Sequence, residues 1–215
     1  MVARIRALDP GLPAVQVLDF AWSSFMGIIR PFQSRWEFES LLDTVCRPQP
    51  PRVVTEIGTC GGGSLFVFTR LATCDALVVS IDLPGGPFGG GYHQWRVPLY
   101  ESFPTAGQKL HLIRADSHAA ATRNHVEGIL AGRKIDFLFI DGDHTIEGVS
   151  RDFDMYSPLV RSGGAVAFHD VAEHPPASGC RVRDYWNDIR RQYPSREFIH
   201  HPPLHRFGIG VLTMT

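Results

Sequence analysis

The 215-residue sequence predicts an α/β protein: a doubly wound, mostly parallel sheet of seven strands, helices on both faces, and a helical cap at the N-terminus. Three observations predict it. From Arg52 onward, short apolar runs alternate with segments of helical period. The runs lack period-two alternation, as expected of strands buried on both sides. A carboxylate closes or follows each of the first five runs, at Glu56, Asp82, Asp116, Asp141 and Asp170.

Each element follows in order. Helical spacing, with Phe38, Leu41, Leu42 and Val45 on one face, predicts helices over residues 14–29 and 36–46. These make residues 1–50 a helical cap over the sheet, or a lid over a ligand. Pro48, Pro50 and Pro51 punctuate the chain before the main unit, residues 51–215. Strands are predicted at 53–57, 77–81, 110–114, 135–140 and 165–168, with helices at 64–72, 118–131 and 145–156 between them. Gly163-Gly164 turns into the fifth strand. A late helix at 183–192 precedes strands at 197–200 and 207–213. Crossovers between the parallel strands should be right-handed.

Composition excludes several classes. The net charge is −1, so no basic field argues for nucleic acid or an anionic membrane as partner. With 44% hydrophobic and 20% charged residues, the composition is that of an ordinary globular domain. The apolar stretch 15–29 is interrupted by Asp19 and is too short and polar to span a bilayer. Cys46, Cys60, Cys74 and Cys180 form no CxxC pair, which speaks for free thiols and a cytoplasmic protein.

Ligands of an open parallel sheet bind beyond the carboxyl ends of its strands. The residues there are Glu56 to Gly63, Asp82, Asp116-Ser117, Asp141-Gly142-Asp143-His144, and His169-Asp170. Glu56-Ile57-Gly58-Thr59-Cys60-Gly61-Gly62-Gly63-Ser64 follows a strand and opens a helix. Its glycines permit close backbone approach. It carries no Gly-Lys-Ser/Thr and is not GxGxxG, which removes the P-loop and the dinucleotide fingerprint. Asp82, where no helix begins, suits both hydroxyls of a ribose. Asp116-Ser117 stands where an adenine edge is read, and serves equally well as a helix cap. A sulfonium bearing an ammonium tolerates these acids better than a pyrophosphate does. His144 has a side chain that titrates near neutrality, as a general base requires.

This set resembles the S-adenosylmethionine site of class I methyltransferases, a Rossmann-like fold. The stretches 135–144, Tyr156-Ser-Pro-Leu-Val-Arg-Ser-Gly-Gly164 and Phe168-His-Asp170 resemble family 24 of that class, related to macrocin-type and cephalosporin-pathway O-methyltransferases. The resemblance covers about residues 53–171. It implies transfer of a methyl group to an oxygen of a small-molecule or sugar-bearing acceptor. It also implies an antiparallel last strand and a homodimer. Glu56, Gly58, Thr59, Gly61, Gly62, Ser64, Asp82, Asp116, Ser117 and Asp141 would hold the cofactor, and Asp143 or His144 would be the base. A divalent cation, magnesium or a transition metal, would sit on Asp141, His169 and Asp170. The relatives usually carry an acid where this chain has His169, and magnesium prefers oxygen ligands, so the imidazole shifts the set toward a later metal or toward none. The alternatives left open are a metal-independent O- or N-methyltransferase, a nicotinamide oxidoreductase, a metal-dependent hydroxylase and a non-catalytic adenosyl-binding module.

Substrate contacts are expected from three places. The long connection 83–109 carries the glycine-rich run 85–92, Trp95, Arg96 and Tyr100. The second is the turn His200-His201-Pro202-Pro203-Leu204-His205-Arg206. The third is the loop with His174, Pro175 and Pro176.

Overall fold

The computed structural model describes residues 1–47, 49–88, 91–200 and 207–215. The chain opens with helices α1 (Val2–Arg6), α2 (Ala14–Ser23) and α3 (Arg35–Val45). The sheet contains β1 (Val53–Ile57), β2 (Leu77–Asp82), β3 (Lys109–Arg114), β4 (Ile135–Ile140), β5 (Val160–His169), β6 (Ser195–Phe198) and β7 (Ile209–Thr213). Between the strands lie α4 (Gly63–Leu71), α5 (Val97–Tyr100), α6 (Ala120–Leu130), α7 (Ile146–Tyr156) and α8 (Val182–Ile189). The strand order is β3-β2-β1-β4-β5-β7-β6. All pairs through β5 are parallel, and β7 is antiparallel to both its neighbours. The order reverses between β1 and β4, so the switch point falls at the ends of those two strands.

Both faces of the sheet are covered, by two separate apolar clusters. On one face α2, α3 and α4 pack through Leu18, Phe38, Leu41, Phe66 and Phe68 onto Phe137 and Phe139. The N-terminal helices therefore share their core with the sheet. Glu37 of α3 is fully buried and accepts the backbone N–H groups of His200 and Gly208 at 2.8 and 3.1 Å. That bond pair ties the cap to His200 and to Gly208, just before β7. On the other face α6, α7 and α8 cover Ile57, Val79, Leu138 and Phe168. Trp186 of α8 is fully buried; its Nε1 donates to Glu197 at 2.6 Å, and Glu197 also accepts from Arg183 and Arg190.

Some boundaries differ from the sequence expectation. The first expected helix stops at Ser23 instead of Ile29, because Phe25, Met26 and Gly27 take positive φ (54°, 55° and 78°) and turn the chain. The fifth strand begins at Val160, before the glycine pair. Gly163 (φ 71°) is carried within the strand, where its N–H meets Met214 and the Gly164 carbonyl accepts from Met214 N–H. The 83–109 connection contains a short 3₁₀ turn (Gln94–Arg96) and α5, neither expected. No helix among the described residues is long and apolar enough to cross a membrane. The four cysteines are free thiols. Pro48, Gly89, Gly90 and the turn residues 201–206 lie outside the described residues.

Trp186→Ala should cost about 3–5 kcal/mol by opening a cavity under β5 and β7 and removing a donor from Glu197. Denaturant unfolding followed by far-UV circular dichroism checks this; a loss within experimental error would show that α8 is dispensable for the sheet.

Candidate functional site

β1 leaves the sheet through Gly58, whose φ is 95°. A Cβ there would lie 1.9 Å from the Asp141 carbonyl oxygen, so only glycine lets the first loop pass against the end of β4. The Gly58 N–H reaches Ile81 O and the Asp141 N–H reaches Ile57 O, each at 2.8 Å. The tails of β1, β2 and β4 are thereby held together one residue beyond the sheet. Gly62, at φ 78°, closes the loop against Tyr100, whose ring a Cβ would meet at 2.5 Å. Tyr100 Oη donates to Cys60 O at 2.8 Å.

The cleft so formed is small, about 90 Å³. Gly58, Asp82, Asp116, Ser117, Asp141 and Asp143 line it, together with Cys60, His118 and Gly142. The connection after β2 also reaches in, through Leu83, Gly86, Pro87 and Phe88. Asp82 accepts the backbone N–H groups of Cys60 and Gly91 at 2.8 and 3.0 Å. Burial raises its pKa despite those bonds. Asp116 accepts from His118 N–H at 2.8 Å, and α6 is capped by Ala119 without a side-chain bond.

Glu56, Thr59 and Ser64 are placed differently. They sit beneath the loop in a buried network and are not on the cleft wall. Ser64 and Ser80 donate to Glu56 at 2.5 and 3.0 Å, and Thr59 and Ser80 share a 2.5 Å bond. Burial dominates here, lifting Glu56 from 4.5 to about 8 against those two bonds; the charges of Asp141 and Asp82 add to it. Gly61 and Gly62 shape the loop without lining the cleft.

Around Asp141 the base candidate His144 gathers with the expected metal ligands His169 and Asp170. His169 Nδ1 lies 3.0 Å from Asp141 Oδ1 and 3.5 Å from Asp170 Oδ1. His144 Nδ1 lies 3.1 Å from Asp170 Oδ2, and its Nε2 is 3.6 Å from Asp141 Oδ1. Burial opposes charge on both imidazoles, but the two carboxylates, joined at His144 by a hydrogen bond with Cys180, outweigh it. They raise His144 to about 10 and His169 well above its ordinary 6.5. Burial likewise opposes ionisation of Asp141, and the two histidines overcome it, holding that carboxyl near 2. Asp170 takes a left-handed conformation (φ 61°), which turns its carboxylate back toward both rings. Asp143 is engaged otherwise: Oδ1 accepts Thr145 N–H and Oγ1, both at 2.8 Å, and Thr145 caps α7 through Gly148 N–H.

Single ligand atoms of Asp141, His169 and Asp170 all lie within 4.8 Å of one another, and the same holds for His144, Asp170 and Cys180. Two carboxylates and an imidazole at that spacing fit a divalent cation, and the nitrogen favours a transition metal over magnesium.

Sequence reasoning missed several members. Gln33 Nε2 donates to Asp141 Oδ2 at 2.8 Å across 108 residues of sequence. Phe88 stacks on His144, ring centroids 4.8 Å apart. Phe207 stacks on His169 at 5.6 Å. His118 Nε2 lies 3.2 Å from buried Asp152 Oδ1 under the cleft. Phe88 belongs to the run 85–92 expected to meet the substrate, though its stacking on His144 is new; among the others only Asp152 bore a sequence signal, as an acid on the apolar face of α7.

Glu56 yields a pH prediction. Its folded pKa is raised, so the folded state keeps a proton that the unfolded chain releases between about 4.5 and about 8. The contribution is whole below the lower value and lost as pH rises through the upper, with a slope of at most about 1.4 kcal/mol per unit. Glu56→Gln, which cannot ionise, should flatten stability over that window. Melting temperatures from pH 4.5 to 8.5 decide it, and parallel curves for the two proteins would remove the buried neutral carboxyl.

Comparison with known proteins adds the following. A family model described as "Methyltransferase domain" matches residues 55–171. The uncharacterized protein y4gI of Sinorhizobium fredii is 27% identical over 167 residues, 75% of this chain and 17% of that one. The uncharacterized protein R132 of Acanthamoeba polyphaga mimivirus is 45% identical over 40 residues, 19% of this chain and 18% of that one. The chain thus spans less than a fifth of the length of the curated relatives it matches. Among solved structures, an O-methyltransferase from Bacillus cereus in complex with SAH aligns with a TM-score of 0.61 at 16% identity, covering 99% of this chain and 100% of that one. The O-methyltransferase TomG from Streptomyces achromogenes, in complex with SAM, aligns with a TM-score of 0.55 at 17% identity, covering 100% and 95%. At such identities the likeness is one of fold.

Proposed function

The chain belongs to the methyltransferase-domain family, and from that premise we propose that it transfers a methyl group from S-adenosylmethionine to an oxygen of a small-molecule acceptor. The observation that carries this reading is the convergence of Gly58, Asp82 and Asp141 on one cleft at the switch point of the sheet. Asp82, at the end of β2, is the ribose acceptor. Asp116 and Ser117, just past β3, flank the adenine end, and the loop from Gly58 to Gly62 wraps the methionine end. The four free thiols support a cytoplasmic setting.

In the reaction, a lone pair on the acceptor oxygen attacks the methyl carbon. The carbon–sulfur bond breaks with its electron pair on sulfur, leaving the neutral thioether, and the hydroxyl proton leaves to a base. His144 is the proposed base, because Asp143 spends Oδ1 on the turn into α7. In the free protein His144 is held as an imidazolium by Asp141 and Asp170. The positive sulfonium of the donor opposes that charge and favours the neutral ring. General-base assistance of this kind is typically worth about 10²–10⁴-fold. Asp141, His169 and Asp170 would hold a divalent cation, which supplies charge stabilisation and alignment for the forming alkoxide.

Two measurements test the reading. Calorimetry should show S-adenosylhomocysteine binding to the wild-type protein. Asp82→Ala should weaken it by about 1.5–3 kcal/mol, the worth of a hydrogen bond to a charged group, or roughly tenfold to a hundredfold; unchanged affinity removes the ribose role, and binding of NAD alone overturns the methyl donor. For the cation, equilibrium dialysis should show one divalent ion per chain, lost in Asp141→Ala. Full labelled-methyl transfer in excess chelator would eliminate it.

A further inference from the structure

A groove of about 600 Å³ opens on the other side of Asp141 from the donor cleft. Its walls are aromatic: Trp22, Phe32, Trp36 and Phe207. Phe32 and Trp36 are 65% and 49% exposed, unusual for side chains of that size unless something covers them. The groove reaches the reaction centre through two contacts. Phe207 stacks on His169, and Gln33, on the groove wall, donates its amide N–H to Asp141. Phe32 also lies over the glycine loop, 3.5 Å from where a Cβ of Gly61 would stand.

Gln33 carries an acceptor without a partner among the described residues. A carboxylate only accepts, so the amide nitrogen must face Asp141 and Oε1 must face away. Gln33 is 5% exposed, and Oε1 has no hydrogen-bond partner among the described residues. A buried carbonyl oxygen without a donor is costly, and a ligand hydroxyl would relieve it.

The groove also has a sign. Arg35 is neutralised by Asp19 and Glu39 at 2.7 and 2.8 Å. Arg30 is exposed and has no ion pair among the described residues, and the residues outside that set include no Asp or Glu. A guanidinium left without a carboxylate at the mouth of an aromatic groove fits an anionic substituent.

We propose that this groove receives the acceptor, a flat molecule with at least two hydroxyls and a carboxylate or phosphate group, one hydroxyl donating to Gln33 Oε1 beside the hydroxyl that is methylated, and the anion set against Arg30. Gln33 then acts as a positioning residue, passing the location of the acceptor oxygen to Asp141. The assignment of this molecule as the methyl acceptor rests on the methyl-transfer reading above.

Tryptophan fluorescence of the full chain tests it, because Trp22 and Trp36 face the groove. The probes are 2,3-dihydroxybenzoate, catechol, benzoate, a hydroxyphenyl phosphate and a sugar phosphate, each with and without S-adenosylhomocysteine. Saturable quenching by an anionic hydroxylated probe, at least tenfold tighter than by catechol, is expected. The three anionic hydroxylated probes distinguish carboxylate from phosphate and aryl from sugar. Arg30→Met should abolish the preference over catechol and leave catechol itself unchanged. Gln33→Leu should erase the preference of the wild-type protein for dihydroxybenzoate over benzoate, which loss of fold alone would not do. Equal binding of charged and uncharged probes, or no quenching by any anionic probe at millimolar concentration, overturns the proposal. Failure of S-adenosylhomocysteine to bind would fall on the methyl-donor reading instead, and the titrations without it still decide the groove.

Discussion

The close pass of Gly58 against the Asp141 carbonyl is the constraint on which the rest of the site depends. A side chain at that position would collide with the backbone that follows β4. With no side chain there, the tails of β1 and β4 stay hydrogen-bonded past the sheet. Asp82 and Asp141 then face one cleft, although 59 positions separate them in sequence. A parallel sheet delivers its strand ends to one edge, and the switch in strand order opens a crevice there. Glycine at the crossing makes the crevice usable.

Electrostatics divides the crevice in two. Two carboxyls meet different fates within a short distance. Glu56 has only hydroxyl donors and is pushed toward neutrality, whereas Asp141 faces two imidazoles and stays ionised. Burial is common to both, so the nature of the partner decides the outcome. The neutral side suits the packing of the glycine loop. The charged side collects His144, His169 and Asp170 into one compact set of ionisable groups, joined to the aromatic groove through Gln33.

The N-terminal helices are part of this arrangement. They share an apolar core with α4 and the sheet, Glu37 anchors them to His200 and Gly208 ahead of β7, and Gln33 leads into α3. A segment that reads in sequence as a cover for the sheet thereby supplies a side chain to the centre. Its position is held by burial of Phe38, Leu41 and Leu42, which leaves Trp36 on the outer side to face the groove.

Hydrophobic runs bounded by glycine and acidic residues determined the strand count, the parallel core and the edge where Asp82, Asp141, His144, His169 and Asp170 meet, because those features depend on local periodicity and on the rule that parallel strands end on one side. Only the tertiary structure decided which acids face the cleft and which are buried beneath the loop: Glu56 and Asp82 look alike in sequence, but one meets Ser64 and Ser80 and the other lines the cleft. It also decided that Asp143 bends back to Thr145, and that Gln33, Phe88 and Phe207 arrive from distant segments. Such contacts depend on packing between elements far apart along the chain, and no local pattern of residues encodes them.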